Sequence, residues 1–513
     1  MATEQPANGT PAPIAGQHAV VIGGSIAGLV AARALASHVA RVTVVDRDSY
    51  PQQPTYRSGA PQGRHVHVLL VRGLRELNAL FPGVSDELLA TGVNAFDWVA
   101  DTYAYTAFGK IAPYPSGLLG IACSRNLIEW TLHQRLAALP NVTFLEACRV
   151  TGLLTDPEQC AVIGVQLRPR PGDRNHDHDE NQSSDQNNDQ SSDQHSLYAD
   201  LVVDASGRDS QAPEWLAALG YAPPQETVVN SYTGYASRMY RRPDTAPDWH
   251  VLLIQSPYAQ GGRGGVLYEI EDNQWLATLG AAAKDYPPND EAGFLAYMAS
   301  LPDQTLHDLL AAAEPLTPIY GYRRMENRLR HYERLTRQPE GFLALGDAVC
   351  AFNPIYGQGM TTGAIGASLL AEHLRACRRL SDGTLDLSGL PRRYQRALAK
   401  ANALPWLMAT SEDFRYPLTI GGKPGIAARF MYWYIDRVRA LAVTNHHAYT
   451  SFFSVAHLVK SPLALFAPDI AARVLFRAFF RADAGRGLTP TQPSSQPARI
   501  PAPVEAAREP AHD

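Results

Sequence analysis

The feature that most constrains the fold is a glycine turn between a short strand-like run and a helical segment. Residues 18–22 have the composition of a buried strand, and they lead into Gly23-Gly-Ser-Ile-Ala-Gly28 and a helical stretch at residues 29–36. A second apolar run at residues 42–45 ends in Asp46. A strand, a glycine turn, a helix, a strand and an acid in this order predict a βαβ unit that binds a dinucleotide.

Each residue type in the turn has a physical role. Gly23 opens the tight turn, and Gly28 lets the helix pack closely on the strand. Gly24 and Ser25 are small enough for a pyrophosphate to approach the free N–H groups at the positive end of the helix, although Ser25 stands where glycine is usual. Asp46 is placed to accept hydrogen bonds from a ribose.

A second motif favours a flavin as the dinucleotide. Residues 342–348 read as an apolar strand that ends in Gly346-Asp347, and Asn353-Pro-Ile-Tyr-Gly-Gln-Gly-Met360 then enters a helix. An acid at a strand end can bind a ribityl hydroxyl. A helix amino end stabilises the negative charge that a reduced flavin carries over N1 and O2. An ordinary strand-to-helix turn does not need this combination.

Together these motifs resemble those of the flavoprotein monooxygenases of the p-hydroxybenzoate hydroxylase type, known as group A, over roughly residues 18–375. The resemblance also includes Ser124-Arg125 at the start of a helix. It implies that residues 23–28 hold the ADP part of FAD, that Asp347 binds the ribityl chain and that residues 354–360 face the ring. The implied cofactor-binding residues are Gly23, Gly24, Ser25, Gly28, Asp46, Arg47, Arg64, Arg125, Asp347, Gly357, Gln358, Gly359 and Met360.

The segment Pro61-Gln-Gly-Arg-His-Val-His-Val-Leu-Leu70 resembles a subgroup that includes polyether and squalene-type epoxidases. Arg64 in this segment is placed to meet the flavin ring or a phosphate. His65 and His67 alternate, so on a strand they would share one face. A metal site there would need a third ligand, and no residue is spaced to supply it.

A third family motif departs from the family pattern. The strand at residues 201–203 leads to Asp204-Ala-Ser-Gly-Arg-Asp-Ser210, in which Ser206 stands where the family has an aspartate and Pro213 where it has an arginine. That aspartate is implicated in FAD and NADPH binding, so two electron donors stay open: NAD(P)H bound by this chain, or a separate flavin reductase. Similar variants occur in halogenases and prenyl-reductases, but their Trp-x-Trp-x-Ile-Pro and Tyr-x-Trp-x-Phe-Pro motifs are absent from the sequence.

The 513 residues are too many for one small domain. We predict an α/β fold: a three-layer, Rossmann-type FAD-binding domain with an inserted antiparallel β-sheet substrate domain and C-terminal helices. The expected boundaries are a disordered tail at 1–16, FAD-binding segments at 17–90, 112–212 and 338–400, substrate-domain segments at 91–111 and 213–337, a disordered insertion at 171–197, a helical region at 401–483 and a disordered tail at 484–513.

Charge and cysteine content exclude several classes. Residues 171–197 carry a net charge of −6, whereas the whole chain carries −5. The remainder therefore has a net charge of only +1, and it has no basic block for nucleic acid. The histidines of this segment, His176, His178 and His195, are expected in a solvated loop rather than a metal site. Five cysteines without a C-x-x-C pair, with no secretory signal and no integral membrane span, favour a cytoplasmic protein.

We therefore expect an FAD-dependent monooxygenase that inserts one oxygen atom from O₂ into a lipophilic alkene or aromatic substrate, through a flavin C4a-hydroperoxide. The expected partners are this small substrate, O₂ and a flavin reductase if NAD(P)H is not the direct donor. Two alternatives stay open: an FAD-dependent reductase or dehydrogenase that does not use O₂, and a non-catalytic flavin-binding protein. Since the cofactor does the chemistry, the sequence identifies no catalytic side chain and no metal ligand.

Overall fold

The computed structural model describes residues 16–169, 195–258 and 261–480. Its strands are β1 (His18–Ile22), β2 (Arg41–Val45), β3 (Asn94–Asp97), β4 (Thr102–Thr106), β5 (Gly109–Lys110), β6 (Leu119–Ala122), β7 (Val142–Leu145), β8 (Cys148–Thr155), β9 (Val162–Pro169), β10 (His195–Tyr198), β11 (Leu201–Asp204), β12 (Glu226–Val229), β13 (Gly234–Arg241), β14 (Val251–Gln255), β15 (Gly264–Ile270), β16 (Gln274–Ala281), β17 (Tyr320–Tyr322), β18 (Asn327–Arg330), β19 (Phe342–Ala344) and β20 (Cys350–Ala351). Its helices are α1 (Ile26–Ala36), α2 (Val71–Leu80), α3 (Val84–Ala90), α4 (Arg125–Ala137), α5 (Ala212–Ala218), α6 (Glu291–Ala299), α7 (Thr305–Ala312), α8 (Gly359–Arg375), α9 (Leu390–Asp413), α10 (Ile426–Ala442), α11 (His446–Ala456) and α12 (Pro468–Phe480).

A five-stranded parallel sheet in the order β19-β11-β1-β2-β7 forms the centre of the molecule. All of β1 is buried, as expected for a strand covered on both faces. Helix α1 packs on β1 and β2 and contacts α4 and α8, while the small antiparallel sheet β10-β9-β8 adjoins β11 and β2. Helices, parallel sheet and antiparallel sheet form the predicted three layers, so the fold prediction is confirmed.

A seven-stranded sheet in the order β17-β13-β16-β15-β14-β4-β5 forms the second core. Its pairings are antiparallel except between β14 and β4. Helices α6 and α7 pack on it around the fully buried Trp275 and Phe294. The antiparallel sheet expected between the FAD-binding segments is therefore present.

Three details differ from the expected boundaries. Residues 195–198 form β10, which pairs with β9, although 171–197 was expected to be disordered. The polar residues next to this strand obscure it in the sequence, but Leu197 packs on the core. The remainder of that segment, with His176 and His178, lies outside the described residues. Strands β3 and β6 pair across the boundary expected at residues 111/112, and the boundary expected at residue 400 falls inside α9.

Helices α9 to α12 form the expected C-terminal helical region. Val438, Leu441 and Tyr449 pack with Val99 and Ile111, so the region has a core in common with the segment around β4 and β5. Within the described ranges, every helix is too short or too polar to cross a membrane.

Candidate flavin site

The glycine turn after β1 is closed by backbone contacts that exclude side chains. Gly23 has a φ of +93° and donates its N–H to Val45 O at 2.8 Å. A Cβ at Gly23 would lie 2.8 Å from Ala205 O, and one at Gly28 would lie 1.7 Å from Gly23 O. Both positions therefore require glycine, because the turn and the start of α1 touch backbone to backbone.

The amino end of α1 offers free N–H groups. Its N-cap residue, Ser25, makes no side-chain cap. The Ser25 hydroxyl instead donates to Glu129 Oε2 at 2.7 Å and accepts from Arg125. Arg125 is the first residue of α4, which begins there because Ser124 Oγ accepts from Leu127 N. Two helix amino ends thus meet at Ser25, and both favour an anion.

A buried charge cluster lies beside this turn. Arg57 pairs with Asp46 at 3.0 Å, Glu129 at 2.7 Å and Asp48 at 3.5 Å, and each of these side chains is at most 9% exposed. Arg125 pairs with Glu129 at 3.0 Å. Burial raises the pKa of the Glu129 carboxyl, but the charges of Arg125 and Arg57 outweigh it and hold that pKa below its ordinary value.

Sequence reasoning missed Arg57, Glu129 and Tyr50. Tyr50 donates its hydroxyl to Gly24 O at 2.5 Å and stacks on His133 with ring centroids 3.8 Å apart. Arg57 and Tyr50 lie in a loop without a motif, so no local signal marked them. Glu129 had one signal, because it follows Arg125 by four residues on the same helix face.

The structure places the acid after β2 directly against the turn. Asp46 Oδ2 accepts from Gly24 N at 2.6 Å, and Asp46 Oδ1 accepts from Asp48 N at 2.8 Å. Arg47 is exposed and donates to Gly59 O at 3.3 Å, so it lies outside the cluster. Arg64 also lies outside it, with its guanidinium 3.9 Å from the Tyr56 ring centroid and 4.3 Å from that of Tyr320.

The second motif meets the first at Ala27, on the first turn of α1. Gly346 has a φ of +65°, and a Cβ there would lie 2.8 Å from Ala27 Cβ. Gly363 on α8 approaches the same residue, since a Cβ on it would lie 3.6 Å away. The structure therefore brings the Gly-Asp motif and the glycine turn together, although more than 300 residues separate them.

Asp347 lies half-buried beside the amino end of α8. A Cβ at Gly359 would lie 3.6 Å from Asp347 Oδ1. Burial raises the pKa of the Asp347 carboxyl, and the charges of Arg208 and Arg125 act against that rise. The carboxylate is thus close to a helix amino end and to two cations, as a group that binds a ribityl hydroxyl would be.

The turn before α8 has one residue that needs a left-handed conformation. Gly357 has a φ of +64°, whereas Gly359 is the first residue of α8 and has no positive φ. A positive φ therefore requires glycine at 357 but not at 359. Met360 is 9% exposed and packs in the main core, so only the backbone of that residue can face a ligand.

Two buried polar atoms at this end of α8 lack a partner. They are Gln358 Oε1 and Thr361 Oγ1, and their residues are 3% and 0% exposed. A buried polar atom without a hydrogen bond is costly. Thr361 Oγ1 faces Gly73 on α2. Together with the glycine turn and the free N–H groups of α1 and α8, Gln358 Oε1 fits a bound FAD, whose polar groups would satisfy it.

Residues 61–70 lie between the flavin end and the seven-stranded sheet. They form a short 3₁₀ turn, Pro61–Arg64, and then an extended segment that is not a sheet strand, so His65 and His67 do not share a strand face. His65 Nδ1 lies 2.8 Å from Ser237 Oγ, and its ring centroid lies 4.5 Å from that of Tyr235. His67 Nδ1 instead lies 2.9 Å from His65 O.

Three histidines stay uncharged in the folded protein: His65 and His457, which are buried, and His67, which is half-buried. Burial, with the nearby Arg64, lowers the pKa of His65 to about 4. Burial lowers the pKa of His67 to about 3, with a further contribution from Arg125, and burial alone lowers that of His457 to about 3. His457 Nδ1 accepts from Val71 N at 3.2 Å and ties α11 to α2.

We expect the free energy of unfolding to fall between pH 7 and pH 5. Free histidine has a pKa near 6.5, so over this interval the unfolded chain binds protons that the folded chain rejects. The stability is present above about pH 6.5 and is lost as pH falls toward the folded pKa values, by about 1–2 kcal/mol per histidine. Urea denaturation of His457→Gln should show a smaller pH dependence than wild type, and the exposed His447→Gln should match wild type. Equal pH dependence in all three proteins would contradict this account.

The departing motif after β11 is internally satisfied. Asp204 is fully buried, and its carboxylate accepts from the Ser206 hydroxyl at 2.5 Å, from Ser206 N at 3.0 Å and from the Ser210 hydroxyl at 2.5 Å. Arg208 donates to Phe352 O at 2.7 Å, next to the turn that enters α8. Ser206 therefore supports the loop, and its hydroxyl is already engaged.

A glycine turn on a parallel sheet, a buried charge cluster beside it and a Gly-Asp strand end leading into α8 define an FAD-binding oxidoreductase of the three-layer type. Residues 17–386 match the family model described as "FAD binding domain". The chain therefore belongs to that family. It is an FAD-dependent oxidoreductase, in agreement with the resemblance to the p-hydroxybenzoate hydroxylase type.

One relative and two solved structures show what the chain is similar to. The chain is 35% identical over 414 residues to Protein Rv3254 of Mycobacterium tuberculosis (strain ATCC 25618 / H37Rv). The alignment covers 78% of this chain and 80% of that protein. A triple mutant of the flavin-dependent brominase Bmp2 is 14% identical with a TM-score of 0.58, covering 91% of this chain and 99% of the other. PqsL of Pseudomonas aeruginosa, described as a probable FAD-dependent monooxygenase, is 17% identical with a TM-score of 0.52, covering 78% and 98%. At these identities the solved structures show the fold alone.

Proposed function

We propose that the protein is a monooxygenase that uses FAD and O₂ to insert one oxygen atom into a lipophilic alkene or aromatic substrate. The observation that carries this proposal is the position of the flavin end against the seven-stranded sheet. Gly280 of this sheet lies between Tyr235 and the turn before α8, since a Cβ on Gly280 would lie 3.6 Å from Tyr235 Cβ and 3.7 Å from Ile355 Cδ1. Tyr322 stacks on Tyr235. Both tyrosines therefore lie near the expected ring position.

The surroundings of these tyrosines suit an apolar substrate. Tyr235 and Tyr322 stack with ring centroids 5.6 Å apart, and His65 contacts both rings. Tyr235 is 6% exposed, and its hydroxyl has no partner among the described residues. Aromatic walls with one free hydroxyl can hold a flat or unsaturated substrate and orient a single polar group.

Bound FAD would supply the oxygen chemistry, and the protein would supply binding, orientation and exclusion of water. The residues proposed to hold the ADP half are the turn at 23–28, Asp46 and Arg125, with Arg57 added by the structure. Asp347 and the amino end of α8 are proposed to hold the flavin half. The His65–Ser237 pair would hold residues 61–70 against the seven-stranded sheet, because Ser237 Oγ also lies 2.6 Å from Thr278 Oγ1.

The electron donor is proposed to be a separate flavin reductase. Support comes from Ser206, which stands at the family's aspartate position: it carries no charge, and its hydroxyl and N–H both donate to Asp204 within the loop. NADPH added directly, or NADH added with a flavin reductase, would separate the two donors.

The function is tested by measuring O₂ uptake, product mass and H₂O₂ in wild type and Asp347→Ala. A monooxygenase product gains the mass of one oxygen atom, a reductase product gains two hydrogen atoms, and a halogenase product appears only with halide. Asp347→Ala should loosen the flavin and admit water, which raises the H₂O₂ released per O₂ consumed by several-fold and lowers the yield of oxygenated product. A product without added oxygen under any donor would contradict the proposal.

A further inference from the structure

Asp413, the last residue of α9, is a fully buried carboxylate in the C-terminal helical region. It lies beyond residues 17–386, the part of the chain that matches the family. A buried charge is costly unless its oxygens are hydrogen-bonded, so the partners of Asp413 show which part of the fold depends on it.

Those partners come from two segments that lie at the flavin end. Asp413 Oδ1 accepts from the Tyr356 hydroxyl at 2.6 Å and from Asn353 Nδ2 at 3.1 Å. Asp413 Oδ2 accepts from Asn327 Nδ2 at 2.6 Å. Asn353 and Asn327 are both fully buried.

The two amides cannot turn round to become acceptors for a different group at this position. Asn327 Oδ1 accepts from Asn353 N at 2.7 Å, and Asn353 Oδ1 accepts from Ile355 N at 3.3 Å. Each amide oxygen is thus used by the backbone, and each NH₂ group faces the carboxylate. The network therefore requires both carboxylate oxygens of Asp413 to act as hydrogen-bond acceptors.

The network ends on the turn that leads into α8. Asn353 caps the 3₁₀ turn Pro354–Tyr356, and Gly357 follows with its left-handed φ before α8 begins at Gly359. Ile355 in the middle of this turn is 50% exposed, so apolar packing does little to hold it. Its two ends, Asn353 and Tyr356, are the residues that bind Asp413.

We infer that Asp413 is a positioning residue for the flavin: through Asn353 and Tyr356 it fixes the turn that aims the amino end of α8 at the ring. The C-terminal helices thus form part of the cofactor site. This inference rests on the flavin site of the proposed function, but it does not depend on whether the reaction transfers oxygen. Burial raises the pKa of Asp413 to about 6, against the hydrogen bonds that lower it, so the carboxylate is charged at neutral pH.

Asp413→Asn tests this role, because it keeps the shape and replaces one acceptor oxygen with a donor NH₂ group. One of the two asparagine amides then faces another donor, and the turn must move. We expect FAD to dissociate about tenfold more readily or worse, the size of a lost hydrogen bond to a charged group. The visible absorption spectrum and the reduction potential of the residual bound flavin should also shift.

Glu412→Gln is the matched control. Glu412 is the preceding residue of the same helix, but its carboxylate pairs with Arg439 of α10 at 3.0 Å and with Arg415 at 3.4 Å. Arg415 in turn pairs with Asp436 of α10 at 2.9 Å, so these contacts tie α9 to α10 rather than to the turn. We expect Glu412→Gln to lower the melting temperature while the FAD affinity and flavin spectrum stay at wild-type values. Tyr356→Phe removes only one donor and should show a smaller flavin effect than Asp413→Asn.

The inference fails if Asp413→Asn and Glu412→Gln lower the melting temperature alike and neither changes the flavin affinity, spectrum or potential. If Asp413→Asn does not fold, Tyr356→Phe decides: an unchanged flavin spectrum and affinity in that variant overturns the inference. Wild-type protein that binds no FAD would instead overturn the flavin site itself, and oxygen-free products from a wild-type holoprotein would overturn only the monooxygenase reaction.

Discussion

Gly28→Ala should eliminate FAD binding. The added Cβ would lie 1.7 Å from Gly23 O, so either the turn or the start of α1 must move. Movement at this point displaces the N–H groups that would bind the pyrophosphate. We expect FAD binding to weaken by at least about 100-fold, which corresponds to about 2.8 kcal/mol, and the purified variant to be colourless.

Gly363→Ala is the control for this prediction. Gly363 lies on α8 and faces Ala27 on α1, but its Cβ would lie 3.6 Å from Ala27 Cβ, an ordinary contact. Alanine also favours the helix more than glycine does. FAD titration by fluorescence should give wild-type affinity for this variant. If Gly28→Ala also retained wild-type affinity, the turn would not be the pyrophosphate site.

Arg57→Met should be the most destabilising single change in the charge cluster. It removes the cation that Asp46, Asp48 and Glu129 share while their carboxylates remain buried. A buried ion pair that loses one partner costs about 3–5 kcal/mol, because the remaining charge is uncompensated. We expect a loss of this size in the free energy of unfolding, measured by urea denaturation.

Arg324→Met provides the comparison for Arg57. Arg324 pairs with Asp209 at 2.6 Å, but the two side chains are 64% and 60% exposed. Surface pairs of this kind contribute about 0–1 kcal/mol. If the two variants lost equal stability, the cluster at Arg57 would be no more important than a surface ion pair, and its proposed part in holding the cofactor would lose its physical basis.

The local parts of the site could be predicted from the sequence. A turn that packs directly against another backbone segment allows only glycine. The glycines at positions 23 and 28 therefore predict this close approach from the sequence alone. Gly346 and Asp347 can also be recognised in the sequence, because they directly follow a short apolar run that predicts a buried strand. The parallel sheet could be predicted because its strands are continuous apolar runs, as expected for strands covered on both faces.

The long-range parts could not be predicted. Arg57 meets Glu129 72 positions away, and Asn353 meets Asp413 60 positions away, so neither contact leaves a pattern in the nearby sequence. Such polar partners are chosen by how the helices and loops pack, which the sequence pattern does not specify. Arg47 shows the reverse case: it follows Asp46 directly, but it lies in the bend after β2, where its exposed side chain donates to Gly59 O.

We propose that this FAD enzyme transfers an oxygen atom from O₂ to a carbon of a lipophilic substrate. The most direct test is to run the holoprotein with substrate and reductant under heavy-isotope O₂ in ordinary water, and then under ordinary O₂ in heavy-isotope water. We expect one labelled oxygen atom in the product only in the first experiment. A product labelled from water, or one formed equally well without O₂, would contradict this proposal.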